Sequence, residues 1–160
     1  MSCVQSSAQS FADIYIEQLG KCERQAQRHD MNNHCSYFLH DLDNDGIPEL
    51  FVKSGGCEED YVLYVFTAKN GKIKKMYKTS ASHCDYRLGD RCIISVMAQS
   101  GIYMCNKIYA EEGKIKEENF FFANLWAFES DECTATFDNL PDIELYPYND
   151  TSHITETFRH

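Results

Sequence analysis

Tyr37-Phe-Leu-His-Asp41-Leu-Asp43-Asn-Asp45-Gly46-Ile47-Pro48-Glu49-Leu-Phe-Val52 is the stretch that decides the fold. Ser36 to Leu42 is apolar and aromatic and reads as a strand. Asp41 to Pro48 is acidic, with a glycine and a proline, and reads as a loop. Glu49 to Lys53 places Leu, Phe and Val in succession and reads as the next strand. A short loop between two strands joins them as an antiparallel pair, and the rest of the chain can be built outward from that pair.

Upstream, residues 4 to 28 predict a helix. Phe11, Tyr15, Leu19, Cys22 and Ala26 recur at spacings of three and four and make one apolar face. Ser10 with Asp13 could form a capping box, with Ser6 or Ser7 as other starting points, and Gly20 marks an end or a break. Asp30 to Asn33 reads as a loop. Downstream, Asp60 to Ala68 is rich in Val, Tyr, Phe and Thr. Asn70-Gly71 then gives the strongest hairpin signal in the chain, because a type I′ turn needs positive φ at both central residues. Ile73 to Thr79 is the returning strand. Arg91 to Met97 and Ile102 to Ala110 form a second hairpin around Ser100-Gly101, and Glu112-Gly113 turns into Lys114 to Phe122. Asn70-Gly-Lys-Ile-Lys74 and Glu112-Gly-Lys-Ile-Lys116 echo one another, as two strands leaving similar turns would.

The expected fold is therefore α+β over a single domain, 1–160. An N-terminal helix packs on an antiparallel β-meander of about five to seven strands spanning 36–122. The acidic segment 123–160, with Pro141 and Pro147, is expected to be mostly irregular with at most one edge strand.

Composition bounds the function. At 160 residues the chain can bury one proper core, and 43% hydrophobic with 25% charged residues suits a globular protein. The net charge of −10 argues against nucleic acid and anionic lipid, which need a basic surface. No apolar run approaches the roughly 20 residues of a transmembrane segment. Met1 to Ser7 has neither a basic nor an apolar leader region. A secreted, periplasmic or cell-surface protein trimmed of its leader is the expectation, with the cytoplasm as the other reading. The eight cysteines suit disulfides in an oxidising compartment and equally suit small buried hydrophobes, and no CxxC pair suggests a zinc ribbon.

The chemistry lies in the quoted loop. Calcium takes six to eight hard oxygen ligands in flexible geometry. Asp41, Asp43 and Asp45 alternate along the chain, and Gly46 lets it turn sharply behind them. Ile47 would offer its carbonyl while its side chain anchors the loop, and Glu49 would close the site. The opening matches an EF-hand loop, but that loop needs a glutamate at position twelve, where Val52 stands, and a helix afterwards. Four carboxylates within nine residues repel one another, and a cation removes that repulsion. An acidic Asx turn without metal is the plainer reading. Magnesium fits less well, because it demands strict octahedral geometry.

The pattern DxDxDGxxE flanked by strands resembles the calcium loop of FG-GAP and VCBS-type repeats, found in integrin-like propellers and many bacterial surface proteins. The resemblance implies Asp41, Asp43, Asp45, Glu49 and the Ile47 carbonyl as calcium ligands. It covers about 16 residues, with Glu at position nine where Asp is usual, and the chain is too short for a propeller. More broadly, a helix, an aspartate loop running into Pro48-Glu-Leu50 and a Tyr-rich strand resemble small uncharacterised envelope or secreted proteins of anaerobic gut bacteria.

Other classes compete for the same residues. The strand followed by Asp43-Asn-Asp45-Gly46 is similar to the opening of HAD-type phosphatases, with Asp43 as nucleophile, Asp45 as general acid and magnesium as cofactor. That family needs alternating strands and helices, which this chain does not show. His34-Cys35, His40 and His83-Cys84-Asp85 invite a cysteine–histidine dyad or a zinc site, but their spacing supports neither. Tyr61, Tyr64, Tyr77, Tyr86, Tyr103 and Tyr109 could form a platform for a protein, peptide or carbohydrate, or could pack internally. Glu58-Glu59-Asp60 reads as a second acidic wall or a solvated turn. The expected function is a non-enzymatic calcium-binding module with a structural metal.

Overall fold

The computed structural model describes residues 3–124 and 139–159. Helix α1 spans Cys3–His29. Ala12, Tyr15, Leu19, Cys22 and Ala26 are buried, so the spacing of three and four does form the packed face. Two local expectations are corrected. The helix is already formed at Cys3, so Ser10 lies inside it and cannot be its cap. The helix also runs unbroken through Gly20, because residues on both sides pack against the sheet and outweigh a glycine penalty of about 1 kcal/mol. Arg28 and His29 occupy the last turn, where the helix dipole favours positive charge.

Eight consecutive antiparallel strands follow: β1 (His34–His40), β2 (Glu49–Gly55), β3 (Val62–Lys69), β4 (Lys72–Ser80), β5 (Cys84–Gly89), β6 (Cys92–Gln99), β7 (Ile102–Glu111) and β8 (Lys114–Asn124). The α+β expectation holds, but the strands divide into two sheets. One has the order β4-β3-β2-β1-β9 and the other β5-β6-β7-β8. The division falls at 81–83, where Ala81 is fully buried and His83 takes φ +50°. With the two-residue β9 (Tyr146–Pro147) the described strands number nine, above the expected five to seven. The strand not foreseen is β5, because the turn after it places Arg91, not glycine, at positive φ.

Three of the turns follow their sequence. Asn70-Gly71, Ser100-Gly101 and Glu112-Gly113 all place both central residues at positive φ. The two Gly-Lys-Ile-Lys segments thus share a type I′ exit.

The order of the layers follows from strand alternation. Leu50 and Val52 join a core with Tyr15, Leu19 and Ile154 on the helix side. Phe51, on the opposite face of β2, joins Phe38, Val65, Tyr86, Ile93 and Ile108 between the sheets. Being covered on both faces, β2 is buried at six of its seven positions, as a central strand should be. Helix α2 (Ser152–Thr157) inserts Ile154 beside α1, and Phe158 meets the Tyr15 ring at 5.7 Å. The C-terminal segment is therefore more ordered than expected where it is described. β9 caps the β1 edge, Asp142 bridges to Arg87 of β5, and residues 125–138 lie outside the described residues.

No helix among the described residues is long and apolar enough to cross a membrane. Cys22, Cys35, Cys57, Cys84 and Cys92 are free thiols, all but Cys57 buried, and Cys105 is buried as well. The six tyrosines considered as a platform are all buried or half-buried. Tyr86 and Tyr103 lie within cores, and Tyr61, Tyr64, Tyr77 and Tyr109 pack against them. No exposed tyrosine face results.

Candidate metal centre

The acidic loop, residues 41–48, joins β1 to β2 at the end where His40 pairs with Glu49. That pairing fixes the ends of the loop and brings Glu49 back beneath its start. One carboxylate oxygen each from Asp41, Asp43 and Glu49 lies within 4.8 Å of the others, a spacing that one cation could bridge. Among the described residues, no other three or more His, Cys, Asp or Glu side chains converge in this way. The zinc reading therefore gains nothing.

The backbone of the loop is shaped by its own carboxylates. Asp41 accepts from Asp45 N at 3.1 Å and Gly46 N at 2.9 Å, and Asp43 accepts from Asp45 N at 3.2 Å. Ile47 N donates to Asp45 Oδ1 at 2.8 Å. Asn44 and Gly46 take φ +59° and +87°, conformations that Asn and Gly adopt most readily. Of the expected set, Asp41, Asp43 and Glu49 converge. Asp45 stands in the same loop but outside the converging three, its Oδ1 engaged by Ile47. Ile47 is half-buried.

Glu49 is the unusual member. It is 3% exposed, and its Oε2 accepts from Leu42 N at 2.8 Å. Burial pushes its carboxyl up to about 7, against the donated Leu42 N–H and with added repulsion from Asp43. The Asp43 carboxyl is also raised, first by burial and then by the Asp45 charge. No Lys or Arg forms an ion pair with any of these carboxylates among the described residues. An uncompensated buried carboxylate is expensive, whereas a hard divalent cation would satisfy it.

A residue outside the acidic pattern holds the loop in place. Tyr15 of α1 donates to Pro48 O at 2.8 Å and accepts from Ala68 N at 3.1 Å. It pins the loop's exit to the helix and to β3 at once. The apolar spacing marks Tyr15 only as core, since its partner is 33 residues away and no local pattern shows the bond.

No protein-family profile, curated protein or solved structure matches this chain. The loop must be read from its own geometry.

Beside it, Asp41, Leu42, Asp43 and Asn44 face Arg91 and Ala110–Gly113 of the second sheet across an open cleft. The Glu58-Glu59-Asp60 segment lies at the opposite end of β2, roughly 20 Å along the strand. There Asp60 accepts from Gly56 N and Cys57 N, and residues 56–60 are exposed, which makes a solvated turn and not a second wall.

Proposed function

We propose that this chain is a calcium-binding module, secreted or held in the cell envelope, in which the ion is structural and the biological role is binding or scaffolding. The carrying observation is the convergence of Asp41, Asp43 and the buried Glu49 without a basic partner. In this reading Asp45 and the Ile47 carbonyl complete an all-oxygen set. The ion neutralises the loop, holds the turn and fixes the register of β1 on β2, two adjacent strands of the first sheet. Loops of this charge can be tuned to the millimolar calcium found outside cells, which suits an envelope setting. The partner would be a protein, peptide or carbohydrate.

The magnesium-dependent phosphotransfer reading through Asp43 draws no support from the fold. Every described strand pair is antiparallel, and the loop leads into β2 with no helix between.

The test is a thermal melt of metal-stripped protein and of Asp43→Ala, each with and without calcium. The wild type should gain several degrees with saturating calcium, because a ligand that binds only the folded state stabilises it by mass action. The variant should lose that gain. Equal melting temperatures in all four samples would overturn the proposal, and a gain with magnesium alone would favour phosphotransfer.

A further inference from the structure

The β3–β4 hairpin carries a charge opposite to that of the whole chain. Lys69, Lys72, Lys74, Lys75 and Lys78 are five of the 15 basic residues in a chain of net charge −10. All five are exposed. None has a carboxylate within ion-pair distance among the described residues. The carboxylates that reach the hairpin are engaged by groups other than these lysines. Glu117 accepts from Tyr77 Oη and Thr79 Oγ1, and Glu17, beside Gly71–Ile73, pairs with Lys21.

These lysines lie on or beside an open edge. β4 is the terminal strand of its sheet, so its outer backbone groups have no strand partner. Lysines on an edge strand discourage pairing with another copy of the same edge, because like charges would face each other. The same charges select for a strand of opposite sign. A bulge at Met76 leaves four residues in regular register on each side, Lys72–Lys75 and Tyr77–Ser80.

We propose that β4 is a docking edge for an extended acidic peptide, which adds as a further strand with its carboxylates opposite Lys72, Lys74, Lys75 and Lys78. The open edge favours a peptide over other polyanions, since only a peptide returns the backbone hydrogen bonds. A single-stranded nucleic acid would want exposed aromatic rings for stacking. Here Tyr64 lies under Lys78 and Tyr77 is half-buried and bound to Glu117. An anionic membrane would want exposed apolar side chains, and Ile73 and Met76 are half-buried. None of these lysines forms an ion pair with a carboxylate of the acidic loop.

The test uses a fluorescently labelled ten-residue peptide with Glu at most positions, so that both faces of the added strand carry carboxylates, titrated with the full chain and read by anisotropy. Two comparisons define the mode: the triple variant K74E/K75E/K78E, and the same peptide N-methylated at alternate residues so that it cannot pair as a strand. Binding should weaken about tenfold or more in each. The substituted residues are exposed, and an unchanged melting temperature would verify that the variant is folded. No binding to the wild type, or equal binding to the variant, would overturn the proposal. Equal binding of the N-methylated peptide would overturn strand addition. Tighter binding of heparin, an oligonucleotide or phosphatidylserine vesicles than of the peptide would replace the proposed occupant.

Discussion

Glu49 gives the most specific residue-scale prediction. Its carboxyl is raised from 4.5 to about 7 in the folded chain, chiefly by burial. A carboxyl whose folded pKa lies above its unfolded value adds stability below the unfolded pKa and loses it as pH rises through the folded one. The metal-free protein should therefore lose stability between about pH 4.5 and 7, by roughly 10 °C in melting temperature. Saturating calcium should flatten that fall by holding the carboxylate ionised. Glu49→Gln should flatten the metal-free profile and weaken calcium binding. Melts across that pH window check this, and a variant profile that falls as steeply as the wild type would contradict it. Tyr15→Phe removes one bond to Pro48 and leaves Ala68 N unpaired, so it should cost about 1–2 kcal/mol in a urea melt. The three converging carboxylates are legible in sequence because ligands on one short loop keep a fixed spacing. Tyr15 is not legible as a loop anchor, because its role depends on how a helix docks far along the chain.

Among the elements, α1 is tethered as well as packed. Glu23, 4% exposed, accepts from Cys35 N at 2.7 Å, His34 Nδ1 at 3.0 Å and Gln27 Nε2 at 2.8 Å. It joins the end of the helix to the first residues of β1. Glu23→Ala would leave the buried Cys35 N–H without its acceptor and should cost about 2 kcal/mol by chemical denaturation, while Glu23→Gln should cost less. No change in either would show that the tether contributes nothing. The sequence hints at this tether, since Glu23 falls on the apolar face between Cys22 and Ala26. Turns were the most legible elements, because Asn-Gly, Ser-Gly and Glu-Gly each carry their own backbone requirement. β5 was hidden. Its alternation of Cys84, Asp85, Tyr86 and Arg87 is strand-like, but the turn after it lacks a glycine, and the Asp142 bridge comes from the far end of the chain.

At the scale of the whole molecule, the stacking of two sheets was the part the sequence could not show. Hydrophobic alternation says that a strand has two faces, but not which sheet covers each one. Phe51 makes the point. It reads as one residue of an apolar run, yet its ring stacks 4.5 Å from Phe38 and lies fully buried between the sheets. Phe51→Ala should cost about 3–5 kcal/mol, the range for an aromatic removed from a core, and an equilibrium unfolding curve checks it. The loop of residues 41–48 sits where β1 and β2, both lined by that core, come together, so its order bears on both layers. The measurement that most directly tests the central claim is calorimetric titration of metal-stripped wild type with calcium near pH 7.5, beside Asp43→Ala and a magnesium titration. A single saturable calcium site, lost in the variant and at least tenfold weaker for magnesium, is the predicted result. No saturable heat, or heat unchanged by Asp43→Ala, would contradict the claim.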